Sequence, residues 1–140
     1  MIIGPVTVMH YKDVYPLLKE RKVSMGVEMP KEYDMPDGAT NKFGNICWFT
    51  TLQVNRPENK KLKLTKTYNP RDYPRYDNYD AVECKFKKNI PVDYDGNIGV
   101  PITFFYYYPE LDYEVLEHRG DLKLNGKTAY ERLIIRRKQL

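Results

Sequence analysis

Tyr68, Tyr73, Tyr76 and Tyr79 alternate with Arg71 and Arg75 over one proline-rich stretch. Aromatic faces stack on bases and guanidinium groups bind phosphate, so this spacing joins the two interactions that a nucleic-acid surface uses. Just upstream lie Lys60, Lys61, Lys63 and Lys66, and from Arg56 to Arg75 the only acidic residues are Glu58 and Asp72. Near the end comes Arg136-Arg137-Lys138. Such clusters neutralise phosphates, whereas the same residues on a solvated face bind nothing. Asn69 and Asn78 could pair bidentately with adenine in a major groove, but asparagine beside proline also serves as a turn residue. Tyr76 and Tyr79 have a packing alternative, with Asp77 and Asp80 capping turns.

Other groups point to less chemistry. Asp93, Asp95 and Glu110 invite a metal or acid/base reading, and Asp93-Tyr94-Asp95-Gly96 begins like a calcium loop. The pattern is not completed, because Phe104 stands where the final glutamate belongs, so a tight turn is expected and no metal site. His10 and His118 have no paired partner in sequence and read as surface or capping residues. Cys47 and Cys84 sit in apolar runs without metal-ligand spacing and read as reduced core thiols. Trp48 reads as core, with the edge of a base pocket as the alternative.

A chain of 140 residues can bury one core but not two of ordinary size. The balance of 41% hydrophobic against 30% charged residues is that of a folded soluble protein rather than a disordered one. Thirteen tyrosines are a surplus, which suits either binding surfaces or sheet rims. The net charge of +4 matters only because it is uneven along the chain. No run is long enough to span a membrane and no signal peptide is evident, so a cytoplasmic location is expected.

The elements that must position these residues read as follows. Met1 to Gly4 fits the end of a buried parallel strand. Apolar residues at 11, 14, 15, 17 and 18 form a helical stripe over 11–21, starting near Asp13 as N-cap or kinked at Pro16. Val23 to Val27 is a second strand, which makes strand, helix, strand, the pattern of a crossover unit. Glu28 to Gly44 is loop, and Ile46 to Leu52 is the strongest buried strand. Beyond Val54 come a basic loop, a strand at 62–65, then strands at Val82 to Phe86 and Ile98 to Phe105, the latter at an edge or bulge because of Pro101. Short strands follow at 113–116, 122–124 and 130–136, with Asn125-Gly126 as a hairpin turn.

Several of these segments carry a family likeness. Ile2-Ile3-Gly4, Tyr11-Lys12-Asp13-Val14, Leu17-Leu18-Lys19-Glu20, Trp48-Phe49-Thr50, Tyr76-Asp77-Asn78-Tyr79-Asp80-Ala81, Ile90-Pro91, Asp93-Tyr94-Asp95-Gly96, Gly99-Val100-Pro101-Ile102-Thr103-Phe104, Asn125-Gly126 and Leu133-Ile134-Ile135-Arg136 resemble the C-terminal half of the EcoRI-type adenine-specific DNA methyltransferases. The resemblance implies an α/β fold: late strands and one helix of a Rossmann-like methyltransferase sheet over 1–54, then a β-rich, loop-rich DNA-recognition part over 55–140. It implies a restriction-modification setting, with double-stranded DNA as partner and Lys60, Lys61, Lys63, Lys66, Tyr68, Asn69, Arg71, Tyr73, Arg75, Tyr76, Asn78 and Tyr79 as the DNA-facing residues.

The departures are as informative. In that family an Asn/Asp-Pro-Pro-aromatic tetrad, just upstream of the strand matched by Met1 to Gly4, clamps the base amine. Asn69-Pro70-Arg71-Asp72 is the nearest approach, but Arg71 replaces the second proline and the site lies in the wrong half. A Gly-rich turn for the cofactor is equally missing, since Gly96-Asn97-Ile98-Gly99 precedes a Pro-containing strand and not a helix. The expectation is a chain with no catalytic or cofactor-binding residues of its own, inactive alone. S-adenosylmethionine would be used only with the missing half, and a second chain or self-association would cover the exposed sheet. The alternative is a stand-alone DNA-binding or interaction protein derived from such an enzyme.

Overall fold

A computed structural model of the chain describes residues 1–26, 30–108 and 111–139. The chain folds as two compact units, Met1–Lys60 and Lys61–Leu140. It is a mixed α/β structure, rich in strands and poor in helix. No helix among the described residues is long and apolar enough to cross a membrane.

The first unit is built on β5 (Ile46–Thr50), which pairs antiparallel with β1 (Ile2–Pro5) on one side and β2 (Ser24–Met25) on the other. Ile2 lies opposite Phe49, and Met25 pairs with Phe49 from the other side. The chain passes from β1 to β2 through a 3₁₀ turn at Val6–His10 and a short helix, α1 (Tyr15–Lys19). Pro16 lies in the first turn of α1, where its missing N–H costs nothing. Val14 is the N-cap, without a side-chain hydrogen bond, so Asp13 does not cap it. β1 and β2 run in the same direction, as a crossover requires, but they are separated by β5 and are not neighbours.

Three expectations for this unit are corrected. β1 is not a buried parallel strand: its one partner among the described residues is antiparallel, and Ile2 is 70% exposed. Trp48 is not core, because along β5 Cys47 and Phe49 take the buried face and Trp48 the other, 37% exposed. The segment read as loop holds a hairpin, β3 (Glu32–Asp34) and β4 (Thr40–Lys42), turned at Gly38 with φ of +85°. Its side chains are polar and exposed, so no apolar alternation marked it. Val27 and Glu28, ends of an expected strand and loop, lie outside the described residues.

The second unit is a four-stranded sheet in the order β6-β7-β11-β8. β6 (Val82–Glu83) pairs parallel with β7 (Ile98–Pro101), and β11 (Arg132–Arg137) pairs antiparallel with both β7 and β8 (Tyr113–Arg119). Leu133, Ile134 and Ile135 are all buried, so both faces of β11 are covered. A register shift between Ile134 and Ile135 marks a β-bulge. β7 is an interior strand, not an edge. Pro101 is tolerated because it is the last residue, after which the chain turns into a 3₁₀ segment, Ile102–Tyr106. The strand expected at 62–65 is absent; that run carries no regular secondary structure. β9 (Lys123–Leu124) and β10 (Lys127–Thr128) form a small hairpin through Asn125 (φ 50°) and Gly126 (φ 78°), the left-handed pair a two-residue turn requires.

Candidate nucleic-acid interface

The tyrosine-rich loop is fastened to the sheet by its polar groups. Tyr76 is buried, and its hydroxyl donates to Glu83 Oε2 at 2.5 Å. Glu83 in turn receives Arg132 Nε at 3.0 and 3.3 Å on its two oxygens. Gly99 on β7 permits this approach, since a Cβ there would lie 2.0 Å from the Tyr76 hydroxyl. Burial, and then the bond to Glu83, push the Tyr76 phenol far above its ordinary range.

The next residues grip the hairpin. The Asp77 carboxylate accepts from the backbone N–H of Asn125 at 3.1 Å and of Gly126 at 2.7 Å. Asn78 donates to the Asp121 carbonyl and accepts from the Lys123 N–H, both at 2.9 Å. Tyr79 donates its hydroxyl to Glu117, and Arg119 lies 4.8 Å over its ring. Burial and then that bond raise the Tyr79 phenol to about 12. Tyr73 is likewise buried, and its hydroxyl donates to the Asn89 carbonyl at 2.6 Å. Asn69 shapes a turn, accepting from the Arg71 N–H at 2.9 Å and donating to Asp72 Oδ2.

What these contacts leave outward is mostly cationic. Lys61, Lys63, Lys66, Arg71 and Arg75 are exposed in the second unit; Lys60, also exposed, ends a 3₁₀ turn (Glu58–Lys60) in the first. Arg56 is buried and does not belong to the exposed tract. Arg75 binds Asp80 and meets the Tyr94 hydroxyl at 3.4 Å, while Tyr68 stacks on Tyr94 with ring centroids 4.4 Å apart. Of the cations near the end, Arg136 is paired with Glu114 at 2.8 Å and Arg137 with Asp95 at 2.5 Å. Asp93 accepts from the Tyr68 N–H at 2.7 Å, so of the two acids in the 93–96 segment one anchors the Tyr68 backbone and the other an ion pair; Glu110 lies outside the described residues. His118 pairs with Glu131. Cys47 and Cys84 are free, buried thiols.

One cleft gathers part of the tract. A space of about 390 Å³ is lined by Lys66, Asp72, Tyr73, Lys85, Phe86 and Asn89. Lys85 and Phe86 are not read as site residues from the sequence because 82–86 reads as strand. β6 stops at Glu83, and Phe86 emerges 53% exposed before a 3₁₀ turn at Lys87–Asn89. The signal was present as an aromatic residue inside a lysine run.

Residues 1–138 match the family described as adenine-specific methyltransferase EcoRI. The chain belongs to that family. It is 36% identical to the type II methyltransferase M.EcoRI of Escherichia coli over 165 aligned positions, covering 100% of itself and 50% of that relative. It is 25% identical to M.MgeORF184P of Mycoplasma genitalium, covering 100% of the chain and 57% of the relative. With M.MpnI of Mycoplasma pneumoniae the identity is also 25%, over 99% of the chain and 56% of the relative. The chain therefore spans about half the length of the curated relatives it matches, and with M.EcoRI the match is to the C-terminal half. No solved structure matches it.

Proposed function

We propose that this chain is the C-terminal, DNA-recognising part of a site-specific DNA adenine-N6 methyltransferase of a restriction-modification system. It works with the part of the enzyme that carries S-adenosylmethionine and the methyl-transfer tetrad, and it transfers no methyl group alone. The observation that carries this reading is a family match along the whole chain that covers only half of each relative. Lys60, Lys61, Lys63, Lys66, Arg71 and Arg75 bind phosphates, with Tyr68 and Tyr79 at the aromatic rim. Tyr73, Tyr76, Asn69 and Asn78 act by holding that surface in shape. The three-stranded sheet of the first unit serves as the outer part of a larger Rossmann-like sheet, continued from the edge of β1 that has no partner among the described residues. Exposed Met1, Ile2 and Ile3 are the surface such a continuation would cover.

A second reading, a stand-alone DNA-binding protein derived from such an enzyme, is favoured by the second unit, whose sheet has its own buried centre at Leu133, Ile134 and Ile135. Two titrations decide. Fluorescence anisotropy with a labelled duplex should give binding whose log K falls linearly with log salt. Calorimetry with S-adenosylmethionine should give no binding heat. Cofactor binding by this chain alone would overturn the first reading, duplex binding without it is common to both, and failure to bind duplex overturns both. Methylation restored by adding the N-terminal half of a relative selects the first.

A further inference from the structure

The three-stranded sheet of the first unit has two unlike faces. Along β5, Cys47 and Phe49 point to one of them and are buried, as are Met25 of β2 and Met9 and Leu18 of the connection between β1 and β2. The other face carries an apolar row across all three strands. Ile3 lies opposite Trp48, and Gly26, directly after β2, donates its N–H to the Trp48 carbonyl at 2.8 Å. A Cβ at Gly26 would lie 2.9 Å from the Trp48 Cβ, so glycine keeps space open beside the indole. After β5 the Thr50 hydroxyl accepts from the Leu52 N–H at 3.0 Å, which turns the chain and brings Leu52 and Val54 to the same space. The result is a groove of about 330 Å³, lined chiefly by Met1, Trp48, Leu52 and Val54. No charged side chain among the described residues lines it, so it suits an apolar occupant and not a phosphate.

We infer that this groove receives the apolar side chains of a helix from the N-terminal half of the enzyme. Met1, Ile3, Trp48 and Leu52 are all exposed, and exposed apolar groups gathered on one sheet face mark an interaction surface. In a mixed α/β fold the layer that covers such a face is helix. The edge of β1 with no partner among the described residues accepts a strand, so the face calls for a second element of the same half. The length of chain in the relatives points to the same occupant. The match covers 50% of M.EcoRI and falls on its C-terminal half, so the unmatched half of such an enzyme runs into Met1, part of the groove's lining. Apolar residues spaced i, i+3 and i+4 on that helix pack against Trp48 and Leu52. This inference rests on the reading above, of a chain completed by its N-terminal half, and adds to it the place where that half docks.

Trp48 is the chain's single tryptophan, so fluorotryptophan incorporated into this chain gives one fluorine NMR resonance, from the lining of the groove. Adding the unlabelled N-terminal half of M.EcoRI should shift that resonance and abolish its response to deuterated solvent. Leu52→Lys should weaken the association, measured by calorimetry, on the order of tenfold, because an apolar contact is lost and a charge is left among apolar groups. Leu52→Met should bind as the wild type does. Leu52 is 64% exposed, so both variants should fold, as circular dichroism would verify. If the two halves associate and methylate duplex DNA while the Trp48 resonance does not move, or if Leu52→Lys binds as tightly as wild type, the groove is not the docking site although the reading of a C-terminal half stands. A resonance that shifts instead with the concentration of this chain alone gives the groove to a second copy and overturns the inference. Halves that neither associate nor methylate overturn the reading and this inference together.

Discussion

Replacing Arg132 by methionine should unfold the second unit more readily than any surface change, because it strands a buried carboxylate. The Glu83 and Arg132 side chains are 7% and 12% exposed and meet at 3.0 Å. Removing one member of such a pair costs about 3–5 kcal/mol, chiefly because the remaining charge stays desolvated. Glu83 keeps the Tyr76 hydroxyl as a donor, which puts the expected loss near the lower bound, at about 3 kcal/mol. The double variant Glu83→Gln/Arg132→Met removes the charge and keeps an acceptor for Tyr76, and it should recover at least about 1 kcal/mol of that loss. Urea unfolding at neutral pH, followed by circular dichroism with the m-value held in common, measures both. A single variant within about 1 kcal/mol of wild type, the range of exposed ion pairs, would refute the reasoning. So would a double variant no more stable than the single one.

Other expectations follow from the same contacts. Asp77→Ala removes the acceptor of two backbone N–H groups in the β9–β10 turn; a loss of about 1–3 kcal/mol is expected, with faster amide exchange at Asn125 and Gly126. Burial pushes the Cys47 thiol up to about 11 and Cys84 to about 12, so both should resist a thiol reagent until the chain is unfolded in urea. The folded state holds these protons more tightly, so stability is complete below an ordinary thiol value of 9.0 and falls as pH rises from there toward about 12. The urea midpoint should drop over that range, and less so in Cys84→Ala. Ile2→Lys, on the exposed face of β1, should shift sedimentation toward monomer; a wild type that is already a clean monomer at micromolar concentration would show that β1 needs no cover.

Sequence was most legible where one residue type leaves one choice. Asn125-Gly126 announces its turn because only residues tolerant of positive φ fit there. The apolar runs at 98–100 and 133–135 announce strands, although Pro101 pointed to an edge where β7 lies inside the sheet. It was least legible where a residue has two physical uses. Tyr76 and Asn78 have the chemistry of base recognition, yet Gly99 lets Tyr76 turn inward and Asn78 spends its amide on the Asp121 carbonyl, and nothing near them in sequence marks those partners. Trp48 misleads by its size, since pleat parity and not hydrophobicity places it outward. The Phe86 cleft escaped because a strand-like run hides the point where pairing stops.

Asp77 and Asn78 lie more than forty positions from the hairpin they hold, and three of their side-chain bonds end on its backbone. Loop and hairpin are thus one mechanical part assembled from two distant stretches. Anyone grafting segment 68–80 from a relative without also moving 121–128 would deliver a clasp with nothing to close on. Chimaeras cut between the two stretches should accordingly fail to fold, whereas joint replacement of both should succeed.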